Sequence, residues 1–138
     1  MKKSGFTLIE LMVAVAILAV LVMVGFGTYL RAQQRGLDAR RQGDIKAFQN
    51  AMEQYFSLNE DYPADATEAQ AQFSSGVLPK DPVNADEYVY TFGYTAPGGG
   101  GGYCTCAKLI LLLGNSVNNA CNFAGGGTKN YFCVTNLQ

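Results

Sequence analysis

The chain has no histidine and no tryptophan among its 138 residues. Without histidine, acid–base chemistry near neutral pH lacks its commonest proton carrier. No proline occurs between Met1 and Asp61, so nothing covalent interrupts a helix over that stretch. No charged side chain falls between Leu11 and Leu30, no cysteine precedes Cys104, and no acid follows Glu87. The net charge of −1 gives the molecule no overall attraction for nucleic acid or acidic substrates. This length suits one domain, and a long N-terminal helix would leave only a modest globular part.

What is present begins with Met1-Lys2-Lys3-Ser4-Gly5, then Phe6-Thr7-Leu8-Ile9-Glu10 and the uncharged run to Leu30. A membrane-spanning helix needs roughly 20 mostly apolar residues, and Phe6–Leu30 supplies enough. A secretory signal would have a shorter apolar core followed by a small-residue cut site. A buried core helix would be an alternative, but Leu11–Met23 is apolar all round with no polar face. Glu10 is the exception in this run. A carboxylate at mid-bilayer costs roughly 2.5–3.5 kcal/mol, so it needs a partner or must snorkel to the interface.

Lys2-Lys3-Ser4-Gly5-Phe6-Thr7-Leu8-Ile9-Glu10-Leu11 closely resembles the class III signal of type IV pilins and type II secretion pseudopilins. That resemblance implies a basic leader, residues 1–5, removed after Gly5 by a membrane-embedded prepilin peptidase, with N-methylation of the new terminal Phe6. It also implies that the Glu10 carboxylate neutralises the N-terminal amine of a neighbouring subunit during assembly, an ion pair that offsets desolvation of both groups. The expected partners are then the peptidase, identical or related pilin subunits, an inner-membrane assembly machinery and membrane lipid. The resemblance implies a single pass through the cytoplasmic membrane, with the N-terminus on the inner side and the head outside, then a place in an extracellular pilus or periplasmic pseudopilus. Counting positive charges points the other way: Lys2 and Lys3 are opposed by Arg31, Arg35, Arg40 and Arg41 beyond the span. The processing motif and the distal cysteines outweigh that count.

Beyond the span, Ile45, Phe48, Met52, Tyr55 and Phe56 recur at helical spacing with Ala47 and Ala51 beside them. The pattern predicts an amphipathic helix over residues 31–58 whose stripe lies against the head. Asn59-Glu60-Asp61-Tyr62-Pro63 ends it. An unbroken helix from Phe6 to Leu58 would be roughly 80 Å long. Gly25, Gly27 and Gly36 either weaken it locally or let neighbouring helices approach. The arginines at 31, 35, 40 and 41 read as a solvated or headgroup-facing stretch, with inter-subunit ion pairs as the sharper alternative.

Residues 59–138 form the expected head, in which seven acids face three lysines. A short helix is expected at Thr67–Phe73, strands at Glu87–Tyr94, Tyr103–Leu113 and Asn130–Val134, and glycine turns at Gly98–Gly102 and Gly125–Gly127. Leu109–Leu113 is apolar enough for a strand buried on both faces. The expected fold class is therefore α+β, one long helix packed on a small antiparallel sheet, as in the pilin family.

Four cysteines in a small extracytoplasmic head suggest two disulfides. Zinc would want Cys-x-x-Cys knuckles or histidines, and Cys104-Thr105-Cys106 with Cys121 and Cys133 supplies neither. Cys104 and Cys106 point the same way on one strand, so each should bridge to Cys121 or Cys133, in either of two pairings. No metal or cofactor is expected.

Leu78-Pro79-Lys80-Asp81-Pro82 and the aromatic strand after it also resemble the major secretion pseudopilin. That protein's calcium loop would need carboxylates, and Thr95-Ala96-Pro97 with five glycines has none. The balance moves toward a pilus subunit. An anchored enzyme is the rival class: Asp81 and Asp86 are a conceivable carboxylate pair, but acids at such a junction are usually turn formers. Gly125–Lys129 echoes a phosphate loop without its strand–loop–helix setting. No catalytic residue and no small-molecule substrate are expected. A monomeric anchored binding module remains a further alternative, one that would need neither the Gly5–Phe6 junction nor Glu10.

Overall fold

The computed structural model describes residues 5–94 and 101–137. The expected turn at Gly98–Gly102 and the Thr95–Pro97 stretch lie largely outside these residues. The chain divides into two compact units at Gln34/Arg35, and each is taken by itself.

The first unit is the leading part of helix α1, Leu8–Asn59. Gly25, Gly27 and Gly36 do not break it, and a Cβ at any of them would meet nothing within 4 Å. The large apolar residues from Phe6 to Leu30 are all exposed, from 45% at Leu30 to 90% at Phe6. A continuous apolar surface of this kind is not a stable endpoint in water.

In the second unit the rest of α1 lays Ile45, Phe48 and Met52, all 0% exposed, into the core. The helix ends where Glu60 turns left-handed (φ 57°) and its N–H bonds the Phe56 carbonyl, before Pro63. Helix α2, Ala66–Gln70, is capped by Asp65, whose carboxylate accepts from the Thr67 and Glu68 N–H groups. It is shorter than Thr67–Phe73, because the chain turns again after Gln70.

The sheet is an antiparallel meander of β1 (Thr91–Tyr94), β2 (Tyr103–Lys108) and β3 (Tyr131–Thr135), in that order. With the long apolar helix this is an α+β arrangement. One face carries Phe92, Tyr94, Tyr103, Ala107, Phe132 and Val134 onto the helix stripe. The Phe48 ring lies 4.9 Å from Phe92 and 5.7 Å from Tyr103, centroid to centroid. Such aromatic contacts add to the area they bury.

Two strands are shorter than the apolar pattern suggests. Residues 87–90 lie outside β1, although Tyr90 keeps the inward orientation that alternation gives it. The run Leu109–Leu113 is not strand: only Leu109 is well buried, whereas Leu111 is 43% and Leu113 81% exposed. The expectation of a doubly buried strand there is corrected, because the amides of 110–112 bond a side chain instead of a neighbouring strand. Gly114 closes the turn. A Cβ on it would collide with the Tyr131 carbonyl, so no other residue fits that close approach.

Candidate functional site

At the start of the chain Gly5 and Phe6 are exposed ahead of the first helical residue. Thr7 and Glu10 satisfy each other there. Glu10 Oε2 accepts from the Thr7 N–H at 2.9 Å and from its hydroxyl at 2.7 Å, while the Glu10 N–H lies 3.3 Å from Thr7 Oγ1. This is a reciprocal cap of two helix-start donors, written in the sequence as Thr-x-x-Glu. The Thr7–Glu10 spacing is the sequence signal for this cap. The carboxylate thus has a partner within its own chain.

The arginine stretch divides. Arg31 and Arg35 are exposed, and Arg40 is a loose surface pair with Asp44 at 3.9 Å. Arg41 is not solvated: it is 0% exposed, a correction to the surface reading of all four. Its Nε and Nη2 donate to Asp81 Oδ2 and Oδ1 at 2.6 and 3.1 Å, and Nη1 donates to Asp38 at 2.9 Å. Tyr88 lies 4.7 Å from the guanidinium carbon, ring centroid to atom. Asp38 also accepts three consecutive backbone N–H groups, from Ile110, Leu111 and Leu112, at 2.7–3.0 Å. Asp81 accepts from the Val83 and Asn84 N–H groups as well.

Burial alone would raise the pKa of both carboxyls. For Asp38 the three amides and Arg41 more than offset it, and for Asp81 the Arg41 guanidinium and the turn amides do so. Both are held below the ordinary aspartate value. The constellation joins helix, turn and 109–113 loop with every charge paired. A carboxylate committed in this way is a poor general base, and Asp86 stands exposed rather than beside it.

The cysteines lie on the sheet face away from α1. Cys104 is bonded to Cys121, and Cys106 to Cys133, directly across β2 and β3. The pairing left open by spacing is this one of the two. The two bridges touch: Cys106 Sγ is 3.8 Å from Cys104 Sγ and 3.9 Å from Cys121 Sγ. Asn115 binds the Cys133 backbone in both directions, at 2.7 and 2.8 Å, so the 109–130 excursion is stitched over this face. Lys129 donates to the Phe123 carbonyl at 2.6 Å and leads into β3, not into a helix, which is no phosphate-loop setting.

The comparisons with known proteins fall on the N-terminal feature. Residues 1–26 match the prokaryotic N-terminal methylation motif. The chain is also similar to the type IV major pilin protein PilA of Myxococcus xanthus (strain DK1622), 33% identical over 67 residues. That stretch is 49% of this chain and 30% of the relative, so the chain spans under a third of the relative's length. No solved structure matches. With the long apolar helix and small antiparallel sheet, these findings support the type IV pilin and pseudopilin family.

Proposed function

We propose that the chain is a structural subunit of a type IV pilus-like filament, cut after Gly5, methylated on Phe6 and assembled through its N-terminal helix. The observation that carries this reading is the helix itself: its apolar residues from Phe6 to Leu30 are exposed, behind a methylation motif. Such a surface needs lipid before assembly and other subunits after it. The helix is long and apolar enough to cross a membrane. In this reading the basic leader stays on the cytoplasmic side and the head lies outside, with the prepilin peptidase and inner-membrane machinery as partners. The role is non-enzymatic.

Glu10 has two employments in this scheme. In the free subunit it caps its own helix through Thr7. On assembly it would exchange that bond for the amine of a neighbouring Phe6. A pseudopilin is the second reading, favoured by the Leu78–Pro82 stretch before the aromatic strand.

Mass spectrometry of the mature chain is the test. A methylated Phe6 terminus is expected, and any other N-terminus defeats the processing step. Gly5→Ala should block the cut. Glu10→Ala should leave membrane insertion intact and abolish incorporation into filaments seen by electron microscopy. Normal filaments from that variant would sink the ion-pair role, and a mature chain found only as a monomer would favour the anchored binding module.

A further inference from the structure

One hollow in the head is lined by polar groups that the fold does not use. It encloses about 330 Å³, against the roughly 300–1,000 Å³ usual for small-molecule sites. Its apolar wall is Val77, Leu78, Pro79, Val89, Tyr90 and Phe92. Tyr90 is the most deeply buried of these, and its hydroxyl donates to Asp44 at 2.8 Å. Val77 and Val89 are 50% and 47% exposed, so the wall remains open to an arriving molecule.

Gln70, Lys80 and Asn84 complete the lining. Among the described residues, none of these three side chains has a hydrogen-bond or ion-pair partner. The other lysines of this unit are engaged: Lys46 donates to Gln49, Lys108 pairs with Glu87, and Lys129 donates to the Phe123 carbonyl. The placement is also fixed before anything binds. Asp81 takes the Arg41 fork and the Val83 and Asn84 N–H groups, which clamps to α1 the turn carrying Lys80 on one side and Asn84 on the other. A site ordered in advance loses less entropy when it is filled. The neighbouring acids do not compete for Lys80. Asp81 is committed to Arg41, Glu87 to Lys108, and Asp44 to Tyr90 and Arg40, while Asp86 is outside the lining. Among the described residues, the Lys80 ammonium is the one charge that lines the hollow.

We propose that this hollow is a binding site for a small monocarboxylate with an aliphatic or aromatic body. The carboxylate takes the Lys80 ammonium and a side-chain amide N–H of Asn84 or Gln70, and the body covers Val77, Val89 and Phe92. An exposed ion pair alone is worth little, and apolar contact alone does not orient a ligand. Their combination on one wall gives both affinity and orientation. The bound molecule is a ligand and not a substrate, because the lining offers no carboxylate or thiol and the Tyr90 hydroxyl is held by Asp44. The proposal rests on the head alone and is independent of the filament reading.

The test compares 3-phenylpropionate with 3-phenylpropionamide, which keeps the body without the charge, and with acetate, which keeps the charge without the body. Backbone amide shifts are followed by NMR in the nitrogen-15-labelled full chain, held in nonionic detergent micelles. With 3-phenylpropionate the amides of Val77, Leu78, Lys80, Asn84 and Val89–Phe92 should shift and saturate, with a Kd of about 1 mM for a ligand of this size. The uncharged amide should bind about tenfold more weakly, and acetate should give no saturable shift. Lys80→Met should also lose about tenfold, while Lys80→Arg keeps most of the affinity. Equal binding of acid and amide overturns the proposal, as does a Lys80→Met chain that titrates like the parent. Shifts confined to the apolar part of α1 overturn it too, because the probe is then only entering the micelle. Shifts at the hollow that grow with protein concentration in the absence of probe show a second copy filling it, and that outcome also overturns the proposal.

Discussion

Arg41 and Asp81, separated by 40 residues, meet through two parallel hydrogen bonds with neither side chain reaching solvent. The fork geometry of the guanidinium matches the carboxylate in a way an ammonium cannot. Arg41→Ala would strand two buried carboxylates and is expected to cost about 3–5 kcal/mol, the usual penalty for breaking a buried pair from one side. Arg41→Lys should fall between that variant and the parent. Urea unfolding of the full chain in detergent micelles measures both. An Arg41→Ala loss within the error of the measurement would remove the triad from the account of stability.

The two aspartates also predict the acid limb. Their folded pKa values lie below the ordinary 3.8, against the direction burial alone would give. A carboxylate whose folded pKa is depressed contributes stability that is whole above its unfolded pKa and is lost as pH falls through the folded one. Stability carried by these groups should therefore hold from neutral pH down to about 4 and decline below it. Asp38→Asn should flatten that decline while lowering stability at pH 7. Melting curves from pH 7 to 2 would show it, and an unchanged acid limb would contradict the assignment.

The touching disulfides make one cysteine variant informative. In Cys133→Ser the freed Cys106 thiolate lies 3.9 Å from Cys121 Sγ. Attack there forms Cys106–Cys121, breaks Cys104–Cys121 and releases Cys104 as thiolate, with no outside oxidant needed. Peptide mapping should find both linkages, with exchange quickening as pH rises toward the thiol pKa of about 8.5. Only Cys104–Cys121, at every pH, would show that the bridges do not communicate. The variant should also lose about 2–4 kcal/mol of stability with its bridge.

Thr105 sits at the centre of the helix-facing sheet surface with its hydroxyl buried and without a hydrogen-bond partner among the described residues. A buried polar group left unpaired costs about 1–3 kcal/mol. Thr105→Val keeps the shape and removes that cost, so a gain of about 1 kcal/mol is expected in thermal unfolding. A loss of similar size would mean the hydroxyl has a partner in solution.

Much of this architecture is legible in the residues, and the exceptions share a cause. Ile45, Phe48 and Met52 announce the buried stripe because apolar spacing reports burial directly. Asp38 and Arg41 extend the same stripe by a turn and two, at helical steps from Ile45, yet composition sorts them with the solvated arginines. Apolar periodicity is blind to a charge buried because its partner is distant in sequence. Leu109–Leu113 fails for the matching reason: its apolar run looks like a strand, but the acceptor of its amides is a side chain on α1. At the N-terminus, Gly5, Phe6 and Glu10 are legible as a motif, and the Thr7–Glu10 cap is written there as a local pattern of its own.

Asp38, Arg41, Ile45, Phe48 and Met52 all engage the head from one helix. Each residue of an α-helix advances the azimuth by about 100°. An insertion of one residue between Arg41 and Ile45 would therefore turn the apolar triplet away from the sheet while the charged pair kept its place. The intervals within this segment are fixed like the teeth of a key, whereas the loop joining β2 to the β3 side is held by covalent and hydrogen-bonded stitches at chosen points. Length variation among relatives should accordingly collect in the loops, with the count of residues from 38 to 52 kept whole.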